Sequence, residues 1–311
     1  MMSPQDFRHE LGDDLWSLVQ AAAAPVAVVT KLSDISACPA FRLQLEDGRL
    51  LKGRRLPTAT QAVRTEYILQ CVDHAAFPKV LARHQTAILT NWVDGTPLDH
   101  MPLTADLARR CGALQGLLHS IPLPRDNPYK PRTGHRSESG LRQGLEQLAR
   151  TGLLDPDEAQ ALLELAIRHA PASCAVGFIH GDFCGENIVL TDSGDLYVID
   201  SDAVAVDALD YDLGRTWYRW PMPASLREAF LAGYHGGRSC RDFVTHFPYW
   251  AIAATLAGAV FRLRQQPQAT AAPVSRLRHL LRHCTSGAST GEALLRLCDS
   301  SGPATDAQRS G

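Results

Sequence analysis

Asparagine is scarce in this chain: Asn91, Asn127 and Asn187 are the only three in 311 residues. Glycine is missing from a long early stretch, with none between Gly12 and Gly48. The eight cysteines (Cys38, Cys71, Cys111, Cys174, Cys184, Cys240, Cys284 and Cys298) include no Cys-x-x-Cys pair and no cluster at zinc-ligand spacing. They read as reduced thiols, mostly buried. An excess of either charge is also missing. With 31 Lys and Arg against 33 Asp and Glu, the formal net charge is -2, which removes the global electrostatic argument for a nucleic-acid or polyanion binder. No apolar run reaches the roughly 20 residues that span a bilayer. Residues 21–29 are interrupted by Pro25 and preceded by Glu10, Asp13 and Asp14, so neither a secretory signal nor an anchor fits and a cytoplasmic location is expected. Residues 249–261 read as a buried core helix. No internal repeat is apparent.

What is present is a 45% hydrophobic composition, ample for one large domain or two ordinary ones. Residues 4–22 have helical periodicity, with Phe7, Leu11, Leu15, Leu18 and Val19 on one side. Residues 26–30, 41–45 and 49–54 are β-prone, the last two joined by Glu46-Asp47-Gly48 as a hairpin. Pro57 and the threonines after it precede a helix over residues 61–71 that carries Glu66. Residues 79–82 and 87–92 read as strands, and Asp94-Gly95-Thr96-Pro97 as a turn. Beyond it the pattern is mainly helical: 103–119, 137–150, 155–168, 225–234, 241–263 and 274–283. The expected division is a sheet-plus-helix domain over residues 1–93, a helical domain over 94–299 and an unstructured tail over 300–311.

Chemistry concentrates between Phe178 and Asp200. Residues 188–190 and 196–199 read as strands flanking a turn at Ser193-Gly194. A symmetric hairpin pairs Leu190 with Tyr197 and Ile188 with Ile199, which sets Asn187 opposite Asp200; a one-residue bulge would shift that register without separating them. An amide oxygen beside a carboxylate suits Mg²⁺, a hard cation that keeps several waters and takes few protein ligands. Asp182, five residues before Asn187, has the chemistry to orient a hydroxyl toward a metal-bound phosphate and accept its proton.

The string His180-Gly181-Asp182, four residues, Asn187, followed by an apolar strand ending in Ile199-Asp200-Ser201-Asp202, resembles the aminoglycoside phosphotransferase and choline kinase superfamily, relatives of the protein kinases. The resemblance covers about residues 26–260. It implies an α+β, bilobal protein-kinase-like fold with a small antiparallel-sheet N-lobe and a mainly helical C-lobe. It also implies Asp182 as the catalytic aspartate, Asn187 and Asp200 on magnesium, Asp202 as a second acidic residue, and His180 as scaffold. Asp212, in Asp210-Tyr211-Asp212-Leu213-Gly214-Arg215, would tie down the loop. On the same template Lys52 contacts the α- and β-phosphates of ATP or GTP, Glu66 pairs with Lys52, and the backbone near Asn91, Trp92 and Val93 reads the base. Leu114 to His119 is similar to the motif that closes the following helix.

Several positions keep a second reading. Lys31 and Arg54 are alternatives to Lys52, since Arg49, Arg54 and Arg55 surround it and a basic strand is commonly a solvated edge. A lone Glu such as Glu66 is ordinarily a surface residue. Asp202 reads equally as a metal or substrate group or a loop cap. Asp207 and Asp210 read as a solvated acidic turn or as a lip for a cationic acceptor. Trp217, Tyr218 and Trp220 read as core or as a stacking surface. His119, His235, His246 and His283 have no partners at ligand spacing and receive no role. The glycine-free turn at residues 33–39 lacks the flexible loop that protein kinases fold over phosphates. The expected activity is transfer of the γ-phosphoryl group to a hydroxyl of a small molecule: aminoglycoside-like, amino alcohol, homoserine or sugar. No nucleic acid or membrane partner is expected. A pseudokinase-like nucleotide-binding module is the alternative; a protein kinase is disfavoured by the lack of an Ala-Pro-Glu element.

Overall fold

The computed structural model describes residues 4–21, 24–32 and 38–285. Most of the glycine-free turn (33–37), Cys298 and the segment expected to be a tail lie outside the described residues. In chain order the elements are α1 (Pro4–Leu11), α2 (Asp13–Gln20), β1 (Val26–Lys31), β2 (Ala40–Leu45), β3 (Leu50–Arg55), α3 (Ala59–Val72), β4 (Val80–His84), β5 (Ala87–Asn91) and β6 (Thr96–Pro97). There follow α4 (Ala105–Ser120), α5 (Glu138–Arg150), α6 (Pro156–Arg168), β7 (Val176–Ile179), β8 (Ile188–Leu190), β9 (Leu196–Val198) and β10 (Ala205–Ala208). The chain closes with α7 (Leu209–Arg219), α8 (Ala224–Gly237), α9 (Arg241–Thr245), α10 (Phe247–Gln265) and α11 (Ala271–Thr285).

These elements form two compact units: residues up to Met101 together with Glu186–Ala205, and Pro102–Gly185 together with residues from Val206 onward. The β8–β9 hairpin therefore belongs with the sheet-bearing unit, where the sequence had put it in the helical one. The reason is hydrogen bonding: β8 pairs with β6, Val198 N donates to Ala76 O at 2.8 Å, and the Tyr197 hydroxyl donates to Phe77 O at 2.8 Å.

In the first unit a five-stranded antiparallel sheet runs β1-β2-β3-β5-β4. Strand alternation divides its residues between two faces. Phe41, Leu43, Leu45, Leu51 and Leu89 bury against Leu11, Leu15, Leu18 and Val19 of α1 and α2, one expected helix that breaks at Gly12. On α3, Ala62 packs with Leu56 of the strand-to-helix link and Ile88 of β5. The Thr58 side chain caps α3 by accepting from Gln61 N at 3.1 Å.

The second unit is built on helix packing. Its central helix, α10, is apolar nearly all round, with Trp250, Ile252 and Leu256 buried beside a run of alanines. The helix expected over 241–263 is two, α9 and α10, because Pro248 lies in the first turn of α10, where its missing N–H costs least. Helices α4 and α8 approach until backbone meets backbone. A Cβ on Gly112 would lie 1.9 Å from Phe230 O, and one on Gly233 1.9 Å from Arg109 O. Gly112→Ala must push the helices apart and is expected to cost about 3 kcal/mol in urea denaturation. Gly236→Ala, on α8 with nothing within 4 Å of the added carbon, should instead leave stability unchanged or raise it by up to about 1 kcal/mol.

Candidate active site

The first unit contains a cavity of 190 Å³ whose lining is part apolar and part charged. Leu56, Leu69, Ile88, Val189 and Ile199 form apolar wall; Lys52, Arg54, Asp200 and Asp202 line the same space. Strand period explains the cations. Leu51 and Gly53 turn to the core, so Lys52 and Arg54 share the other face, beside their register partners Thr90 and Ile88. Asn91, Trp92 and Val93 also line this cavity. The Asn91 side chain is engaged in bracing: its Oδ1 accepts from Lys79 N at 2.8 Å and its Nδ2 donates to the Tyr197 hydroxyl at 2.8 Å.

The hairpin register differs by one from the symmetric expectation. Ile188 faces Val198, Val189 faces Tyr197 and Leu190 faces Leu196. The turn is a three-residue loop whose Gly194 takes φ 83°, a left-handed position that suits glycine and adds the shift. Ile199 N donates to Asn187 O at 2.8 Å, so Asp200 is one residue past the pairing. Asp200 itself is left-handed, φ 62° and ψ 55°, a conformation that aspartate tolerates better than most residues.

A second, adjoining cavity is lined by Asn187, Asp200, Lys52 and Arg54 among others. Lys52 Nζ lies 3.6 Å from Asp200 Oδ1. Arg54 forms ion pairs with both Asp200 and Asp202, through Nη1 and Nη2. Burial pushes the Asp202 carboxyl up to about 6, against the pull of Arg54 and with the charge of Asp200 adding to the rise. Among the described residues no group of three or more His, Cys, Asp or Glu side chains is arranged to hold a metal. One carboxylate, Asp200, and one amide, Asn187, on the second cavity fit a cation that takes hard oxygen ligands in small number and completes its shell with water and phosphate.

The expected Lys52–Glu66 pair is not formed. Glu66 Oε2 accepts from Arg83 Nε at 2.5 Å, across from α3 to β4, and Glu66 lines neither cavity. Arg83 reaches Glu66 from the neighbouring strand, while the nearest carboxylate to Lys52 is Asp200.

In the second unit, β7 leads into the loop bearing His180, Gly181 and Asp182. Fully buried Asp212 organises this loop: His180 N donates to it at 3.2 Å, Gly181 N at 2.7 Å and Gln115 Nε2 at 3.0 Å. His119 Nε2 stands 3.0 Å from the same carboxylate, and its Nδ1 2.8 Å from the Tyr234 hydroxyl. Burial alone would raise the Asp212 carboxyl, but the bond and charge of His119, with Gln115, hold it below the usual range. His119 thus has a partner that no ligand spacing revealed. The available signal was its i, i+4 spacing from Gln115 on α4.

Asp182 is gripped by two arginines of α7. Arg219 Nε donates to Oδ1 at 2.8 Å, Arg215 Nη2 to Oδ1 at 3.3 Å, and Arg215 Nε to Gly181 O at 3.0 Å. Both lie one helical turn apart on one face, a spacing the sequence displays and the motif reading passed over. Asp207 is no substrate lip: it is buried and ion-paired with Arg136, which lies over the Tyr211 ring. Trp217 and Tyr218 are core, Trp217 packing edge-on against Phe247 at 5.1 Å.

The protein-kinase-like α+β fold recurs in solved structures. One is a thermostable mutant of aminoglycoside phosphotransferase APH(4)-Ia in ternary complex with ADP and hygromycin B, with a TM-score of 0.64, 16% identity and coverage of 88% of this chain and 99% of that one. Choline kinase LicA from Streptococcus pneumoniae gives 0.64 at 13% identity, covering 86% and 96%. Plasmodium vivax ethanolamine kinase gives 0.55 at 13%, covering 87% and 82%. No curated protein matches in sequence. Residues 39–244 match the model of the phosphotransferase enzyme family, and the chain belongs to that family. It is a kinase-type phosphotransferase. None of the described helices is long and apolar enough to cross a membrane.

Two substitutions test this architecture. Asp212→Asn removes the charge from a buried acceptor of four donors and is expected to cost about 3 kcal/mol in urea denaturation, with loss of phosphotransfer. Asp210 carries a pH signature: burial, with the charge of Asp242 adding to it, pushes its carboxyl up to about 6 from 3.8. Between those values the folded protein keeps a proton that the unfolded chain has lost, so stability falls as pH rises through the window. Asp210→Asn should remove that fall, gaining about 1–2 kcal/mol on wild type at pH 7.5 and nothing at pH 3.5 when unfolding is measured at both.

Proposed function

We propose that the chain transfers the γ-phosphoryl group of ATP, as its magnesium complex, to a hydroxyl of a small molecule. The observation that carries this is the mixed lining of the first-unit cavity: apolar wall suited to a flat base, and Lys52, Arg54, Asp200 and Asp202 suited to phosphates and their cation. Lys52 would contact the α- and β-phosphates, the backbone at Asn91, Trp92 and Val93 would face the base, and Asn187 with Asp200 would hold the metal. Mg²⁺, when bound, supplies charge neutralisation for the phosphates. Glu66 is left with a bracing role through Arg83.

Asp182 is the acceptor-side residue, five positions ahead of Asn187 on one continuous loop. Arg215 and Arg219 fix its carboxylate, so its work is to orient the acceptor hydroxyl and take the proton as the O–P bond forms. Two guanidiniums against one carboxylate leave the acceptor end positive, which supports neutral or acidic acceptors over polycations such as aminoglycosides. The ADP and hygromycin B bound to APH(4)-Ia, and the names choline kinase and ethanolamine kinase, support the hydroxyl-acceptor class.

The test is ATP consumption across a panel of amino alcohols, homoserine, neutral sugars, sugar acids and aminoglycosides. With the best acceptor, Asp182→Asn is expected to lower kcat by about 100-fold or more while the KM for ATP changes less than about threefold. Unchanged turnover in that variant overturns the assignment. Stabilisation by Mg-ATP with no transfer or hydrolysis would instead favour a nucleotide-binding regulatory module.

A further inference from the structure

Arg54 lines the part of the first-unit cavity suited to phosphates without a specific contact of its own in the nucleotide reading, yet it is the most tightly engaged cation there. Its side chain is 15% exposed, and it lines both the cavity shared with Lys52 and Asp202 and the adjoining one with Asn187. One guanidinium nitrogen pairs with Asp200 and the other with Asp202, so a single planar fork spans the two acidic residues of the strand end. Its third nitrogen, Nε, is buried with no hydrogen-bond partner among the described residues. A buried N–H donor without an acceptor is costly, and the acceptors the cavity is suited to receive are phosphate oxygens.

The charge balance is equally specific. Asp200 and Asp202 face Arg54 and Lys52, two negative charges against two positive. A divalent cation entering that arrangement would meet carboxylates already neutralised and a guanidinium at the position it needs. It binds well only if Arg54 leaves. The destination is close at hand, because phosphates in this cavity would lie against the same side chain, and a guanidinium binds phosphate as readily as carboxylate.

We propose that Arg54 is the resident counter-cation of this site: it clamps Asp200 and Asp202, and passes to the phosphates of a nucleoside di- or triphosphate when a divalent metal takes the carboxylates. The inference rests on the nucleotide reading of the cavity. Metal and nucleotide then bind with positive coupling, each removing an obstacle to the other, and metal alone binds poorly. A residue that merely braced the loop would behave oppositely, since its removal would loosen the carboxylates and weaken metal binding.

The experiment uses the full chain and three titrations: Mn²⁺ alone, followed by the paramagnetic resonance signal of the free ion; ADP in EDTA, followed by calorimetry; and ADP with Mg²⁺. For Arg54→Met the expected result is Mn²⁺ binding about tenfold tighter than wild type and metal-free ADP binding about tenfold weaker. Mn²⁺ binding that is unchanged or weakened overturns the proposal. If Arg54→Met does not fold, Arg54→Lys carries the test, because an ammonium keeps the charge but lacks the planar fork; Mn²⁺ affinity should rise about threefold, and no rise is fatal. Wild type that binds Mg-ADP while neither variant gains Mn²⁺ affinity sinks this inference alone. Wild type that binds no ADP with or without Mg²⁺ sinks the nucleotide reading as well.

Discussion

The interaction on which the His180–Asp182 loop depends is the buried carboxylate of Asp212. It gathers two backbone N–H groups of the loop that bears Asp182, an amide of α4 and an imidazole that is itself backed by Tyr234. A charge withdrawn from water at this depth is tolerable because every approach to it is a donor. The loop does not hold Asp212; Asp212 holds the loop. The close α4–α8 contact through Gly112 and Gly233 matters for the same reason, since His119 reaches Tyr234 only because those two backbones touch.

Much of this was legible beforehand. Apolar periodicity located the principal helices, and turn residues located the sheet, because these signals are local and repeat along the chain. The loop from His180 to Asn187 was legible because its polar residues fall at fixed spacing between apolar strands. What escaped was decided by single geometric details. The hairpin register moved by one because Gly194 accommodates a three-residue loop. Pro248 ended one helix and began another.

Pairings were less legible than positions. Lys52 could be put on a strand from its neighbours, but whether it would meet Glu66 or Asp200 depends on which face of α3 looks at which strand, and Arg83 took Glu66 first. Arg54, Arg215 and Arg219 went largely unassigned because arginine is common and a motif lists only its own letters. Their importance comes from being brought to carboxylates far off in sequence, as Arg54 is to Asp200, 146 positions away.

The hairpin's membership in the first unit has a consequence for the order of assembly. Residues up to Met101 leave the ribosome without β8 and β9, which follow only after the Pro102–Gly185 stretch of the other unit. Until they arrive, Asn91 Nδ2, Ala76 O and Phe77 O lack these partners, and the wall formed by Val189 and Ile199 does not exist. The nascent chain can therefore form its five-stranded sheet early but completes the cavity late, by a long-range closure that adds Val189, Ile199 and the acidic pair from one stretch of chain.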